Sequence, residues 1–268
     1  MAALEPRSYL FVPGNRPDRF AKALAAGADA VIVDLEDAVG PGEKDAARAM
    51  LAEWLAPDRP VHVRVNAADT PWFDADVGLL EHPAIAGVVL PKAERVEAIE
   101  TLTRRRPVPV MALVETAAGF HDMLALARAR HVSRLLFGTI DFQADLGMRA
   151  EEDDLAPFRA QFVLASTLAG IAPPVDGVST AIDDEAVLTA DVRRARRLGF
   201  GGKLCIHPRQ VAIVNAAFVP SEAEVAWARR VVEAIAAAGG GAVALDGKMV
   251  DRPVELKARA ILVEASRT

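Results

Sequence analysis

The residues of this chain that could do chemistry are ionisable side chains at or just past the ends of short apolar runs. A carboxylate that follows a buried strand is unfavourable unless a cation or a hydrogen-bond donor stabilises its charge. One such residue would carry little information, but a residue of this kind follows nearly every run, which indicates a common site. In chain order these residues are Asp34, Glu36, Asp37, Arg64, Asn66, Lys92, Glu115, Asp141, Asp176 and His207.

Two of these acids, Glu115 and Asp141, follow neighbouring runs, so we expect their carboxylates to converge. Two close carboxylates without partners repel each other, and one of them then takes up a proton. A divalent cation removes this conflict, and ligation by oxygen alone favours Mg²⁺ over Zn²⁺. Each carboxylate could instead pair with a lysine or arginine of the same site. The spacing alone does not separate these two interpretations.

The basic residues of the set suggest different roles. Arg64 is the best receptor for a substrate carboxylate, because its planar guanidinium matches a carboxylate with two hydrogen bonds. It could instead form a structural salt bridge with the acids after the second run. Lys92 raises the possibility of Schiff-base chemistry, which needs a lowered pKa. Its acidic surroundings would raise the pKa, so we expect Lys92 to neutralise the carboxylates. We expect His207 and Cys205 to be structural.

The elements that must position these residues are eight strand-like runs that alternate with helical patterns. Residues 44–56 illustrate a helical pattern, because their apolar side chains recur at the spacing of one buried face. Eight strand and helix units of roughly 30 residues each are typical of a closed barrel. An open doubly wound sheet that binds a nucleotide would need a glycine fingerprint after the first run, where only Gly14 is found. The predicted strands are 8–13, 30–35, 61–65, 85–90, 108–114, 134–138, 174–178 and 202–206.

The predicted fold class is therefore α/β, a (β/α)₈ TIM barrel with a C-terminal extension of helix and hairpin. We expect the catalytic barrel to cover residues 1–220. The extension, residues 221–268, is expected to pack on the barrel or on a neighbouring subunit. The glycines at 239–241 lack the Lys-Ser/Thr of a phosphate-binding loop, so they are interpreted as a flexible connection.

Composition narrows the classes of function. A formal net charge of −6 argues against binding of nucleic acid. No apolar run reaches the roughly 18 residues of a membrane span, and the first residues do not have the pattern of an export signal. The single cysteine excludes an intrachain disulfide, which fits a reducing, cytoplasmic location.

Several blocks of the sequence then identify a family. They are "RSYLFVPGNRPDRFAKALAAGADAVIVDLEDAV", "VRVN", "LPKAE", "LVETAAG", "GFGGKLCIHPRQ" and "ALDGKMVDRP". In order and spacing these blocks resemble the citrate lyase β-subunit-like proteins of the HpcH/HpaI aldolase and malyl-CoA lyase superfamily. The resemblance implies a Mg²⁺-dependent barrel enzyme that cleaves or forms a carbon–carbon bond in carboxylated acyl-CoA esters. It implies that Glu115 and Asp141 bind Mg²⁺ and that Arg64 binds the carboxylate of an oxoacid.

The resemblance also implies a site for coenzyme A. Phe11, Arg16 and Lys22 match, by spacing, the residues that contact the nucleotide end of CoA. Asp251 matches an acid that reaches the site of a neighbouring subunit, which implies a homo-oligomer, a trimer or a hexamer. Asp251, Arg64, Glu36 and Asp37 are the candidate catalytic residues.

The sequence departs from the family pattern after the sixth run, where Ile140 precedes Asp141 and many relatives carry a Glu-Asp pair. The leading hypothesis is a stand-alone lyase that splits a carboxylated 3-hydroxyacyl-CoA into an acyl-CoA and a 2-oxoacid. One alternative is a metal-dependent aldolase that acts on free hydroxy-oxo-acids. The other is a non-catalytic relative that binds CoA esters or partners.

Overall fold

Eight short parallel strands close into a barrel in this computed structural model, which describes residues 5–266. Each strand pairs with the next one in the chain, and the last strand pairs with the first, with Leu10 opposite Cys205. The predicted (β/α)₈ barrel is therefore confirmed. The strands are β1 (Ser8–Pro13), β2 (Ala30–Asp34), β3 (Val61–Arg64), β4 (Ile85–Leu90), β5 (Val110–Val114), β6 (Val132–Phe137), β7 (Val175–Asp176) and β8 (Gly202–Cys205).

The strands form where apolar and β-branched residues follow one another, because a parallel sheet in a barrel is covered on both faces. Every residue of β2 and β5 is buried. One cluster of buried side chains draws on seven of the eight strands, so it fills the barrel interior. Its members are Tyr9, Ala30, Ile32, Val89, Met111, Leu113, Leu136, Val175 and Leu204.

Helices connect successive strands. In the barrel unit they are α1 (Pro17–Leu24), α2 (Lys44–Trp54), α3 (Phe73–Leu79), α4 (Val96–Thr103), α5 (Ala117–His121), α6 (Met123–Arg128), α7 (Thr139–Asp145), α8 (Ala156–Ala169) and α9 (Glu185–Leu198), and α10 (Pro208–Phe218) follows β8. The periodicity of α2 is largely confirmed: Ala47 and Leu51 are fully buried, whereas Met50 is 38% exposed. Within residues 5–266, no helix combines the length and apolar character needed to cross a membrane.

The seventh strand is shorter than the sequence predicts. Residues 174–178 were expected to be extended, but β7 contains only Val175 and Asp176. A side chain at Gly177 would collide with the Thr139 hydroxyl and would lie 2.8 Å from the carbonyl oxygen of Phe137. The strand ends at Asp176, and glycine at position 177 allows the backbone to pass close to the start of α7.

The chain divides into two compact units, which are residues 5–215 and 216–266 of the described range. In the second unit, α11 (Glu222–Ala237) is followed by an antiparallel hairpin, β9 (Val243–Leu245) and β10 (Lys248–Val250), and then by α12 (Arg252–Ala265). A capping box between Ser221 and Glu224 begins α11. The buried side chains of α11 and α12 pack together, and Val250 joins them.

Candidate active site

The ends of the barrel strands surround a cavity of about 380 Å³. This is the end at which the loops after the strands can converge on one ligand. The charged lining of the cavity comes from the acids after β2 and β5, from the end of β3 and from the first turn of α7. These residues are Asp34, Asp37, Arg64, Glu115 and Asp141.

Glu115 lies directly after β5 and is only 2% exposed. Its Oε1 accepts a hydrogen bond of 2.8 Å from the backbone amide of Lys92. Lys92 presents this amide from a left-handed backbone conformation, with φ of 44°, which is uncommon for a residue with a side chain. Burial raises the pKa of Glu115 to about 8, and the negative charges of Glu36 and Asp141 add to this effect. The surroundings of Glu115 therefore disfavour its charged form, although Arg64 opposes this effect.

Glycine at position 138 allows the carboxylate of Glu115 to lie against the end of β6. A side chain at Gly138 would collide with Cβ of Glu115 and would come 2.6 Å from its Oε2. Asp141 follows in the first turn of α7, and it lines the same cavity with an exposed side chain. Asp145 has a different role, because it accepts a hydrogen bond of 2.7 Å from the amide of Ala117 at the start of α5.

Arg64 is held by acids at the end of β2 and in the loop that follows it. Its Nε and Nη2 each donate a 2.6 Å hydrogen bond to Asp34. Its Nη1 lies 3.0 Å from Glu36 and 3.5 Å from Asp37, and the guanidinium stands 4.8 Å from the ring centre of Phe11. Burial alone would lower the pKa of Arg64, but Asp34 and Glu36 outweigh it and raise the pKa. Arg64 therefore keeps a fixed positive charge at the cavity.

Glu36 links Arg64 to Lys92. Its Oε1 accepts a 2.7 Å hydrogen bond from Lys92 Nζ. Burial raises the pKa of Glu36, although the charges of Arg64 and Lys92 oppose this. Burial would lower the pKa of Lys92, but its hydrogen bond to Glu36 and the charges of Glu36 and Glu115 raise it overall. A Lys92 held in the charged form is a poor Schiff-base nucleophile.

Lys44, at the start of α2, was missed by the sequence reasoning. It is 5% exposed, and its Nζ donates 2.7 Å hydrogen bonds to the carbonyl oxygens of Leu35 and Glu36. Burial lowers its pKa, and nearby carboxylates counter this. Lys44 thus fixes the loop that carries the acids after β2. A signal was present, because Lys44 lies three residues before Ala47 and seven before Leu51, on the buried face of α2.

The residues predicted for CoA lie in different places. Phe11 lines the cavity. Arg16 pairs instead with Asp18 at 2.8 Å on the surface, and Lys22 is exposed in the last turn of α1. Asp251 lies in the C-terminal unit, where its side chain accepts a 3.5 Å hydrogen bond from the amide of Val254 and caps α12.

Three other residues at the strand ends, Asp176, Cys205 and His207, do not line the cavity. Asp176 is fully buried between Arg159, at 2.8 Å, and Lys203, at 3.2 Å. Burial alone would raise the pKa of Asp176, but these two cations lower it. Nδ1 of His207 accepts a hydrogen bond from the amide of Arg209. Cys205 is buried in β8, and burial raises the pKa of its thiol to about 12.

Two of the four carboxylates that line the cavity, Glu115 and Asp141, fit a magnesium ion. Within residues 5–266, no three histidine, cysteine, aspartate or glutamate side chains are grouped as a complete protein metal site. Magnesium does not need such a group, because proteins usually bind it with one or two carboxylates while water and substrate oxygens complete the shell. Glu115 and Asp141 supply two carboxylates, and the raised pKa of Glu115 is the effect that a bound cation would reverse.

The sequence and the fold of this chain are similar to those of known proteins. The model of the HpcH/HpaI aldolase/citrate lyase family matches residues 7–208. A citrate lyase subunit beta-like protein of Deinococcus radiodurans is 41% identical over 276 residues, which cover 96% of both chains. A (3S)-malyl-CoA thioesterase of Cereibacter sphaeroides is 37% identical and covers 97% of this chain and 94% of its own. Among solved structures, CitE of Mycobacterium tuberculosis in complex with magnesium, acetoacetate and coenzyme A superposes with a TM-score of 0.89, at 38% identity and over 99% of this chain and 100% of that chain.

Proposed function

This chain belongs to the HpcH/HpaI aldolase/citrate lyase family, and from that premise we propose that it is a Mg²⁺-dependent carbon–carbon lyase of CoA esters. It would split a carboxylated 3-hydroxyacyl-CoA into an acyl-CoA and a 2-oxoacid, or run the reverse condensation. The observation that carries the proposal is that Glu115 and Asp141 line one cavity with the cation Arg64. The magnesium, acetoacetate and CoA bound by the similar structure of CitE support it.

Glu115 and Asp141 are the proposed ligands of Mg²⁺. When bound there, the ion supplies a Lewis acid that polarises the keto oxygen of the oxoacid. Arg64 is the proposed receptor of the oxoacid carboxylate. Asp34 holds its guanidinium with two hydrogen bonds, so the charge is oriented before substrate arrives. Asp37 is the loosest partner of Arg64, at 3.5 Å with an exposed side chain, and the substrate carboxylate would replace it.

The condensation requires a proton to leave the carbon beside the thioester and a proton to reach the former keto oxygen, while one carbon–carbon bond forms. Asp37 lines the cavity and is exposed, so it is one proposed carrier of these protons. Asp251 of a neighbouring subunit is the second. This role needs a homo-oligomer, which we propose to be a trimer or hexamer in the cytoplasm. Arg16 and Lys22, both on the surface near the start of the chain, are the proposed contacts of the CoA nucleotide.

The test is to incubate the protein with Mg²⁺, acetyl-CoA or propionyl-CoA, and glyoxylate or oxaloacetate, and to measure the CoA esters by mass spectrometry. We expect a condensed ester whose formation stops in Asp141→Asn. Asp145→Asn is the matched control, since Asp145 lies on the same helix and bonds to the amide of Ala117 outside the cavity. The absence of a condensed ester with every pair would refute the proposal. Condensation of oxoacids alone would favour the aldolase that acts without CoA.

A second candidate function is hydrolysis of the thioester, because one relative at 37% identity is a (3S)-malyl-CoA thioesterase. Hydrolysis would use the same cavity, with water as the nucleophile in place of a carbon atom. The products separate the two reactions, since hydrolysis releases free CoA and a dicarboxylic acid, whereas cleavage leaves the thioester intact in an acyl-CoA. Free thiol formed from a malyl-CoA ester, without glyoxylate, would favour the thioesterase.

A further inference from the structure

The cavity wall has two chemically different halves. The charged half is formed by residues at or just after the ends of β2, β3 and β5, together with Asp141 in the first turn of α7. The other half is formed by β6, β7, β8 and β1, and its polar member Thr139 is itself buried. The strands β6, β7, β8 and β1 are consecutive neighbours around the barrel, so the apolar half is continuous, whereas β4 separates the two parts of the charged half. The apolar half includes Phe11, Phe137, Ile140, Val178, Leu204 and Ile206.

Two side chains of the apolar half are exposed. Ile140 in the first turn of α7 is 49% exposed, and Ile206 just after β8 is 42% exposed. The other four are buried or partly buried. Ile140 and Ile206 flank the end of β7, so they face the cavity from both sides of one strand. An exposed branched side chain on a cavity wall gains free energy when an apolar group of a ligand covers it.

We propose that Ile140 and Ile206 select the acyl group, and that the acyl-CoA handled by this enzyme is aliphatic and longer than acetyl. This inference rests on the proposed CoA-ester function and adds its substrate class. The oxoacid, with its carboxylate and keto oxygen, occupies the charged half. The acyl chain then covers the two isoleucines. A hydroxyl or carboxylate on that chain would lose hydration against the two isoleucine side chains, so polar acyl groups are disfavoured.

The first measurement is calorimetric titration of the protein with acetyl-, propionyl- and butyryl-CoA in the presence of Mg²⁺. Covering one more methylene is worth about fourfold in affinity. We therefore expect the dissociation constant to fall about fourfold at each step, and the heat-capacity change of binding to become more negative. In condensation assays the KM for the acyl-CoA should follow the same series, while the KM for the oxoacid should stay constant.

In the variants Ile140→Ala and Ile206→Ala, the dissociation constant should fall by less than about twofold for each added methylene. Both side chains are exposed, so neither substitution opens a hole in the core. Leu146→Ala is the matched control, because Leu146 directly follows α7, is 37% exposed and does not line the cavity. The dissociation constants of the three CoA esters should be the same in this variant as in the unmodified protein.

Three results would overturn the inference: equal binding of the three esters, a preference for acetyl-CoA, or an unchanged series in both alanine variants. If condensation proceeds while the three esters bind equally, the lyase function stands and only the acyl selection fails. If no acyl-CoA binds at all, the proposed function fails and the acyl selection fails with it.

Discussion

Replacement of Glu115 by glutamine separates the stability of the barrel from the binding of its cation. In the folded protein without metal, burial raises the pKa of Glu115 from 4.5 to about 8. Glutamine keeps an oxygen that can accept the hydrogen bond from the amide of Lys92, but it carries no charge. The variant therefore loses an ionisable group that destabilises the metal-free protein, and it also loses a proposed magnesium ligand.

The size of the effect follows from proton linkage. Between pH 4.5 and 8 the folded protein holds a proton on Glu115 that the unfolded chain has released. The free energy of unfolding therefore falls as pH rises through this window, by about 1.4 kcal/mol per pH unit. At pH 7, which is 2.5 units above the unfolded pKa of 4.5, the accumulated loss is about 3 kcal/mol. We expect Glu115→Gln to recover this amount in the absence of metal.

The assay is urea denaturation with a chelator at pH 5, 7 and 8, followed by the same series with Mg²⁺. Without metal, the variant should gain stability relative to the unmodified protein, and the gain should grow with pH. With Mg²⁺, the free energy of unfolding of the unmodified protein should rise as the ratio of the Mg²⁺ concentration to its dissociation constant increases. Mg²⁺ should leave the free energy of unfolding of the variant unchanged. Glu100→Gln, on the exposed side of α4, is the control and should change little.

Two outcomes would refute this reasoning. If Glu115→Gln is no more stable than the unmodified protein at pH 7 and 8 without metal, then the carboxylate is not destabilised by its surroundings. If Mg²⁺ stabilises the variant as much as the unmodified protein, then Glu115 is not a ligand of the ion.

Three further predictions concern stability and metal affinity. Asp176→Asn removes the carboxylate that the buried cations Lys203 and Arg159 share, while Arg159 keeps Glu152, and it should cost about 3–5 kcal/mol in urea denaturation. A loss below about 1 kcal/mol would contradict this. Burial lowers the pKa of His62, in β3, to about 4, so the unfolded chain takes up a proton below pH 6.5 that the folded protein does not bind. The free energy of unfolding should therefore fall by up to about 3 kcal/mol as the pH drops from 6.5 to 4. His62→Gln should make this fall smaller, and a fall of equal size in the variant would contradict the prediction. Gly138→Ala should displace Glu115 and weaken Mg²⁺ binding about tenfold or more in a titration, whereas Gly78→Ala, which meets no atom within 4 Å, should leave it unchanged.

The sequence predicted the barrel because strand and helix periods are local properties of the chain. Runs such as the residues of β2 and β5 are apolar throughout, and the spacing of Ala47 and Leu51 marks one helix face. Barrel topology then implies that residues after successive strands meet at one end. The grouping of Glu115, Asp141 and Arg64 around one cavity could be expected on this basis.

Only the tertiary structure decided which charged side chains pair inside the protein and which lie at the cavity, where a ligand could contact them. Asp34 and Asp176 both end strands, yet the first orients Arg64 at the cavity and the second is enclosed by Arg159 and Lys203. The exposure of Ile140 on the cavity wall was likewise decided by the folded barrel. Charge pairing and burial depend on distances between residues far apart in the chain, and these exist only once the barrel has closed. Hydrophobic periodicity depends only on residues that are close together in the chain, so the sequence by itself determined the barrel architecture. The partner of each charged side chain depended on the folded structure.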